Sequence, residues 1–363
     1  MEYANPKIGE ILKSLKAKDY HLTDIGMKEY EEAYIIPHTP QICRFAGAAD
    51  SEGNFIENSA VHENLFKGKI NPIENTEHID SEVIFIGSMH SIYGHCITDN
   101  LKKLWFLRTD KGQQIIENGG KIVYVSAWNN KELPQFALHI LTLAGIDTQK
   151  LIRITSPTRV KKVYIPDNSM QLKNGTRMWS DQFKKEFEII KSNIRYTGET
   201  YDKIYFTRTQ LKDTKDFGEK RVEKLFEEQG YKILSPEKLS IDAQVALMTN
   251  CKTFVGTDGS ITHNGVFCNK DTKITILLKA DYANGYQMMI NDMTGYEVTY
   301  VSANHTIKHR RKPWAGPFYL SLTKELRRFL GKAEGIDWFW LRGDWYRYLY
   351  ERFFTDTHGN HKD

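Results

Sequence analysis

Long apolar runs are missing from these 363 residues. No stretch approaches the roughly 18 apolar residues of a membrane-spanning helix, and the first twenty have no apolar centre of the kind a secretory leader needs. The expectation is a cytoplasmic protein. Charge of one sign is also scarce. Fifty Lys and Arg oppose 46 Asp and Glu, for a formal net charge of +4. That is too weak for a nucleic-acid-binding surface, which concentrates basic residues on one face. Cysteine is sparse: Cys43, Cys96, Cys251 and Cys268, with no C-x-x-C pair. Such spacing excludes the usual zinc knuckles and a disulfide framework, and leaves reduced, mostly buried thiols. Three nucleotide and metal signatures are absent as well: the P-loop, G-x-G-x-x-G and H-E-x-x-H. No internal repeat or low-complexity segment interrupts the chain.

What remains is an ordinary globular composition, 40% hydrophobic and 26% charged, on a length that suits two domains. From residue 83 onward, short apolar runs alternate with stretches of helical spacing. Strands are expected at Val83–Ser88 and Lys121–Ser126, in "LIRIT" and "VKKVYIP", and helices at Tyr93–Arg108, Leu133–Gly145 and Thr176–Ile194. "TGET" at Thr197–Thr200 reads as a linker. The alternation then restarts, with strands at Lys203–Arg208, "YKIL", Lys252–Gly256, Lys273–Lys279 and Glu297–Ala303. Helices are expected at Glu219–Gly230 and Ser240–Asn250. The pattern predicts an α/β fold with two doubly wound, Rossmann-like domains, residues 1–196 and 197–304, facing a cleft.

Residues 305–363 differ. Between residues 305 and 354 there are eleven Lys or Arg against five Asp or Glu, and Trp314, Trp338, Trp340 and Trp345 fall in the same stretch. Three readings are open. The segment packs its aromatic face back on the body, touches an anionic membrane surface peripherally, or self-associates.

Three places carry candidate chemistry. In "MHSIYGHCITDN", His95 and Asp99 are four apart, and His90 lies just upstream. On one helical face Asp99 orients an imidazole, or either group takes a proton from a hydroxyl; the plainer alternative is a capping histidine and a solvated carboxylate. The spacing does not match a zinc site, and no metal is expected. In "YFTR", Arg208 stands at the end of a strand, where a guanidinium matches diphosphate oxygens or is simply a surface arginine. In "FVGTDGSITHN", Gly256 and Gly259 allow a tight turn. The amides of Gly259, Ser260 and Ile261 would open a helix whose positive end favours an anion.

Taken together and in this order, the three places resemble the family 61 glycosyltransferases, the capsular polysaccharide biosynthesis-like proteins. That family carries a pattern like H-N-x-x-H-x-x-x-D, matched here by His90, His95 and Asp99 with one residue of slack. It then has a strand ending in I-S-R, similar to "YFTR", and later a stretch matched by Gln244, Gly256, Gly259 and Asn264. The likeness spans roughly Val83 to Ala303. It implies a two-domain GT-B-type fold and inverting hexosyl or pentosyl transfer from a nucleotide-sugar, usually a UDP-sugar. The acceptor would be a glycan or a lipid-linked molecule at the inner membrane face, and no metal or other cofactor is needed. The chain lacks the D-x-D by which the other large fold class holds a metal–diphosphate.

On this resemblance Asp99 is the base, with His95 orienting it or serving in its place and His90 lining the acceptor side. Arg208 and the amides at Gly259 and Ser260 hold the diphosphate, and Gln244 and Asn264 shape the donor pocket. The chain departs from the pattern at Ser91, where the family has Asn. It departs again in the glycine turn, where Asp258 and Ser260 replace His and Ala. Asp258 is expected to cap the following helix or to accept from sugar hydroxyls, and His263 to supply the missing cation. A pyruvyl-type transferase and a non-catalytic glycan-assembly protein are the alternatives.

Overall fold

Buried parallel strands need apolar side chains on both faces, and the runs "KIYF", "TFVGT" and "KITILL" supply them. The computed structural model describes residues 3–38, 46–60, 69–70, 76–127, 131–173, 175–211, 215–307, 316–333 and 335–354. Cys43 and Trp314 lie outside the described residues. Cys96, Cys251 and Cys268 are buried. The architecture is mixed α/β with largely parallel sheets. Contacts divide the chain into two compact units, Asp19–Ile194 and Met1–Lys18 with Arg195–Asp363.

In the unit Asp19–Ile194 the six-stranded sheet runs in the order Gly47–Ala49, Met27–Ile36, Thr158–Pro166, Glu77–Met89, Lys121–Ser126, Leu151–Arg153. The last four are mutually parallel, and Met27–Ile36 lies antiparallel to Thr158–Pro166. Phe85, Val123, Val125, Val160, Val163 and Ile165 interlock in its core. Each such side chain stabilises the fold by about 1.5–3 kcal/mol relative to exposure.

Two expected helices here are different structures. Tyr93–Arg108 is one helical turn, Tyr93–Cys96, then hydrogen-bonded turns, then the 3-10 helix Leu104–Arg108. The polar side chains between them compete for backbone groups. Thr98 Oγ1 donates to the Gly94 carbonyl at 2.9 Å, and the Asn100 side chain bonds the backbone of His90. The helix expected from Thr176 starts later, as Asp181–Asn193, because Thr176–Trp179 is a strand in a hairpin with Met170–Lys173.

In the other unit the five-stranded sheet is parallel throughout. Its order is Lys232–Leu234, Lys203–Phe206, Thr253–Thr257, Lys273–Leu278, Val298–Ser302. Tyr205, Val222, Phe226, Val255, Leu277, Val301 and Leu326 form its core. The helix Pro6–Lys16 belongs to this unit. Asn5 caps it by accepting from the Ile8 amide at 3.0 Å, and the Asn5 amide group reaches Asp281. From Lys203–Phe206 the chain adds Lys232–Leu234 on one side and then Thr253–Thr257 on the other, so the order of strand addition reverses between Lys203–Phe206 and Thr253–Thr257. Parallel sheets bind ligands beyond the carboxyl ends of the strands at such a reversal.

Candidate active-site residues

His90 directly follows the carboxyl end of the strand Glu77–Met89. Asn100 pins it there: the His90 amide donates to Asn100 Oδ1 at 2.7 Å, and Asn100 Nδ2 donates to the His90 carbonyl at 3.0 Å. Cys96 Sγ reaches the same carbonyl at 3.1 Å. The imidazoles of His90 and His95 stack with centroids 4.4 Å apart. His95 Nδ1 lies 2.7 Å from Asp99 Oδ2, so the pairing expected from spacing forms although the segment is not a continuous helix. Thr98 Oγ1 also donates to that oxygen, and the buried Lys102 places Nζ 3.8 Å from Asp99 Oδ1.

Burial alone would raise the Asp99 carboxyl. The His95 hydrogen bond and the charges of Lys102, His95 and His90 outweigh it and hold Asp99 well below the usual carboxylate range. Burial and the nearby Asp99 push the Cys96 thiol up to about 12, which disfavours the reactive thiolate.

His90, His95 and Asp99 bring three possible metal-ligand atoms within 4.8 Å of one another. The geometry fits a proton-handling pair better. An ion would have to displace the 2.7 Å His95–Asp99 contact and sit beside the Lys102 ammonium.

In the other unit, Arg208 follows the strand Lys203–Phe206, and Asp258 and Gly259 follow Thr253–Thr257. Both sides of the sheet reversal therefore carry residues that the sequence singled out. Lys279, which follows Lys273–Leu278, and Asp216 join them. Lys279 Nζ is 3.1 Å from each Asp216 oxygen, and Arg208 Nε is 2.7 Å from Oδ2. A methyl group placed on Gly259 would lie 3.7 Å from Arg208 Nη1 and 3.8 Å from Lys279 Nζ. Gly259 adopts φ +137°, a conformation that disfavours a side chain. Two cations thus converge on the glycine turn, and one buried carboxylate braces both.

Asp258 is only 8% exposed. Burial pushes its carboxyl up to about 6. Lys279, the Gly259 amide and Arg208 pull the other way, and Asp216 adds to the rise. Asp258 Oδ1 and Thr257 Oγ1 are buried with no hydrogen-bond partner among the described residues. Burial also lowers the Lys279 ammonium, against the pull of Asp216. Glu219, buried behind the turn with Asp216 and Glu223 nearby, rises to about 8. It accepts from Tyr205 Oη at 3.1 Å and from the Arg208 amide at 3.3 Å.

Several expectations change here. The segment after the glycine turn is a six-residue 3-10 helix, Thr262–Phe267, whose start is Ile261 and which has no side-chain cap. The turn therefore opens no α-helix of useful dipole, and Asp258 does not cap one. It is engaged electrostatically with Lys279, Arg208 and Asp216. His263 Nδ1 pairs with Gln287 Oε1 at 3.0 Å, on the helix Gly285–Thr294, and Lys279 is the cation whose charge acts most strongly on Asp258. Gln244 Nε2 donates to the carbonyls of Pro236 and Leu239, bracing the turn before its helix. Asn264 Nδ2 closes the glycine turn on the Ile261 carbonyl at 3.1 Å. Gly256 sits where the strand meets Thr262 closely, and Ser260 is half-buried in the turn.

Lys279 and Asp216 were not anticipated. A lysine at the carboxyl end of a parallel strand was a usable signal. Asp216 carried none, since it arrives through the two-residue strand Asp216–Phe217 pairing with Phe318–Tyr319.

A parallel sheet with cations at its reversal point, and a His–Asp pair at another strand end, are features of an α/β group-transfer enzyme. The family model Glycosyltransferase 61 matches residues 93–275, half of the chain, and the chain belongs to that family. No curated protein matches it.

Proposed function

We propose that the chain is an inverting glycosyltransferase moving a sugar from a nucleotide-sugar, a UDP-sugar by preference, to a glycan or lipid-linked hydroxyl in surface polysaccharide synthesis. Its two units are read as the Rossmann-like halves of a GT-B-type enzyme acting in the cytoplasm. The observation that carries the reading is the 2.7 Å His95–Asp99 pair within the family match.

Inversion needs in-line attack by an acceptor hydroxyl on the anomeric carbon, with one group to take its proton. Asp99 is too acidic and too buried to do this well, whereas His95 is more exposed than its partner. With Nδ1 committed to Asp99, the imidazole accepts the proton through Nε2. Asp99 fixes the tautomer and stabilises the imidazolium that forms. His90, stacked on His95, holds the ring plane.

The departing diphosphate is stabilised by Arg208 and Lys279, held in place by Asp216 before the substrate arrives. The two cations take the part that a metal ion plays elsewhere, so the proposed reaction is metal-independent.

The test is thermal stabilisation by UDP, GDP, CMP and phosphoenolpyruvate. A ligand at a hundred times its dissociation constant adds about 2.7 kcal/mol of stability. UDP should shift the melting temperature of the wild-type chain and of Asp99→Asn, and Arg208→Ala should lose the shift. A shift with phosphoenolpyruvate alone would replace this reading with pyruvyl transfer. No shift with any nucleotide would sink the donor assignment.

A further inference from the structure

Twelve large hydrophobic side chains are exposed among the described residues, and eight of them fall between Ile336 and Phe354. They are Ile336, Trp338, Trp340, Leu341, Tyr346, Tyr350, Phe353 and Phe354. Such concentration is not the scattered exposure normal for a soluble surface.

The helix Gly343–Phe354 explains how it arises, because it has two apolar faces. Trp345, Tyr348, Leu349 and Arg352 recur at helical spacing and turn inward. Tyr348 and Trp345 pack against Tyr319 and Phe339, and the Ile307 amide donates to the Tyr348 hydroxyl at 2.6 Å. Tyr346, Tyr350, Phe353 and Phe354 recur at the same spacing on the other side. Tyr350 and Phe354 stack there at 5.5 Å, exposed, with the exposed Arg342 and Arg347 in the same stretch. Packing accounts for the inner face and leaves the outer one unexplained.

We propose that this outer face, with Trp338, Trp340 and Leu341, docks on an anionic lipid bilayer and lies in its interface. Residue type favours that occupant: amphipathic Trp and Tyr rings sit at the headgroup level. Charge favours it too. Among the described residues from 316 to 354 seven Lys or Arg stand against four Asp or Glu, so an anionic surface attracts this stretch, whereas a second copy would bring like charge against like. Length points the same way. Twelve residues of helix extend about 18 Å, well short of the ~30 Å hydrocarbon core. Among the described residues no helix is long and apolar enough to cross a membrane. The helix therefore lies along the surface rather than through it. The proposal stands independently of the sugar-transfer reading, because vesicle binding needs neither donor nor acceptor.

The experiment is co-sedimentation of the full chain with phosphatidylcholine vesicles and with phosphatidylcholine–phosphatidylglycerol vesicles. Binding to the mixed vesicles, weakened by added salt, is expected. Arg342→Gln with Arg347→Gln should lower the partition by roughly 25-fold, at about fivefold per arginine. Tyr350→Ser, Phe353→Ser and Phe354→Ser together should lower it by more than about tenfold while leaving the melting temperature in place, since the inner face is untouched. Should that triple variant melt early, the arginine pair still decides. Failure to bind either vesicle, or equal binding to both, overturns the proposal. So does a concentration-dependent dimer that the ring variant dissolves in a chain that ignores vesicles.

Discussion

Replacing Asp258 by asparagine tests the charge logic of the glycine turn. The native carboxyl is raised from 3.8 to about 6, chiefly by burial. The folded chain therefore holds this proton more tightly than the unfolded chain does. The linked stability is fully present below about pH 4 and is lost as pH climbs through about 6. Each pH unit between those two values is worth about 1.4 kcal/mol, so the loss at neutral pH is on the order of 3 kcal/mol. Asparagine keeps the shape and removes the titration. Asp258→Asn should match the wild type near pH 4 and exceed its stability above pH 7, by up to ~3 kcal/mol. Calorimetric melts of both proteins from about pH 4 to 8 measure the gap. Glu219, which rises to about 8, titrates in both proteins and drops out of the difference. The same substitution should strengthen UDP binding above pH 7, where the wild type places a carboxylate beside the cations. If asparagine is the less stable residue at pH 8, or the gap ignores pH, Asp258 is an ionised partner that Lys279 and Arg208 require. The strained-acid reasoning would then be wrong.

Asp99→Asn and His95→Ala should each lower transfer by about 10²–10⁴-fold while UDP binding, read by titration calorimetry, stays near wild type. Equal loss of binding would mean the pair holds substrate rather than moving a proton. Lys279→Met should cost about 10²–10³-fold in transfer and weaken UDP, because it removes one of the two cations proposed to meet the diphosphate. A Lys279→Met chain with normal UDP affinity would leave that role to Arg208 alone. Cys96, pushed to about 12, should resist iodoacetamide at pH 8 until the chain is unfolded, and mass spectrometry of the alkylated peptide reads this directly.

The parallel strands were legible because burial on both faces makes them continuous apolar runs. Lys121–Ser126 has the expected bounds, Lys203–Phe206 and Lys273–Leu278 end one or two residues early, Thr253–Thr257 shifts by one residue at both ends, and the strand expected at Val83–Ser88 runs from Glu77 to Met89. Met27–Ile36 was not legible. Its sequence "MKEYEEAYII" is charged along an exposed half, and only the register against Thr158–Pro166 makes it a strand. The stretch after His95 misled for a different reason. Ile97, Leu101 and Leu104 recur at helical spacing, but they are buried by successive turns that Thr98 and Asn100 hold open. The His95–Asp99 pairing survived that error because a tight turn also brings residues four apart together. Asp216 shows the opposite limit. Its partners Lys279 and Arg208 are 63 and 8 positions away, and no local pattern announces a contact fixed by the fold.

The aspartate in the glycine turn follows from the same balance. At a diphosphate site the family pattern implies a histidine, which brings a proton as a cation. On the proposed donor reading Asp258, buried and raised to about 6, would bring a proton as a neutral acid when the diphosphate is near, since a bound anion would raise it further. Neutral, it ceases to oppose Arg208 and Lys279 and offers an O–H donor; ionised, it fills the place beside them when no anion is present. Asp216 is placed differently, with two short contacts to Lys279 and one to Arg208. On the proposed donor reading the two carboxylates would divide the work: Asp216 braces the two cations, and Asp258 would yield its charge when the diphosphate arrives. On this account donor affinity falls as pH rises through the range where Asp258 ionises, and Asp258→Asn flattens that dependence without touching the His95–Asp99 pair.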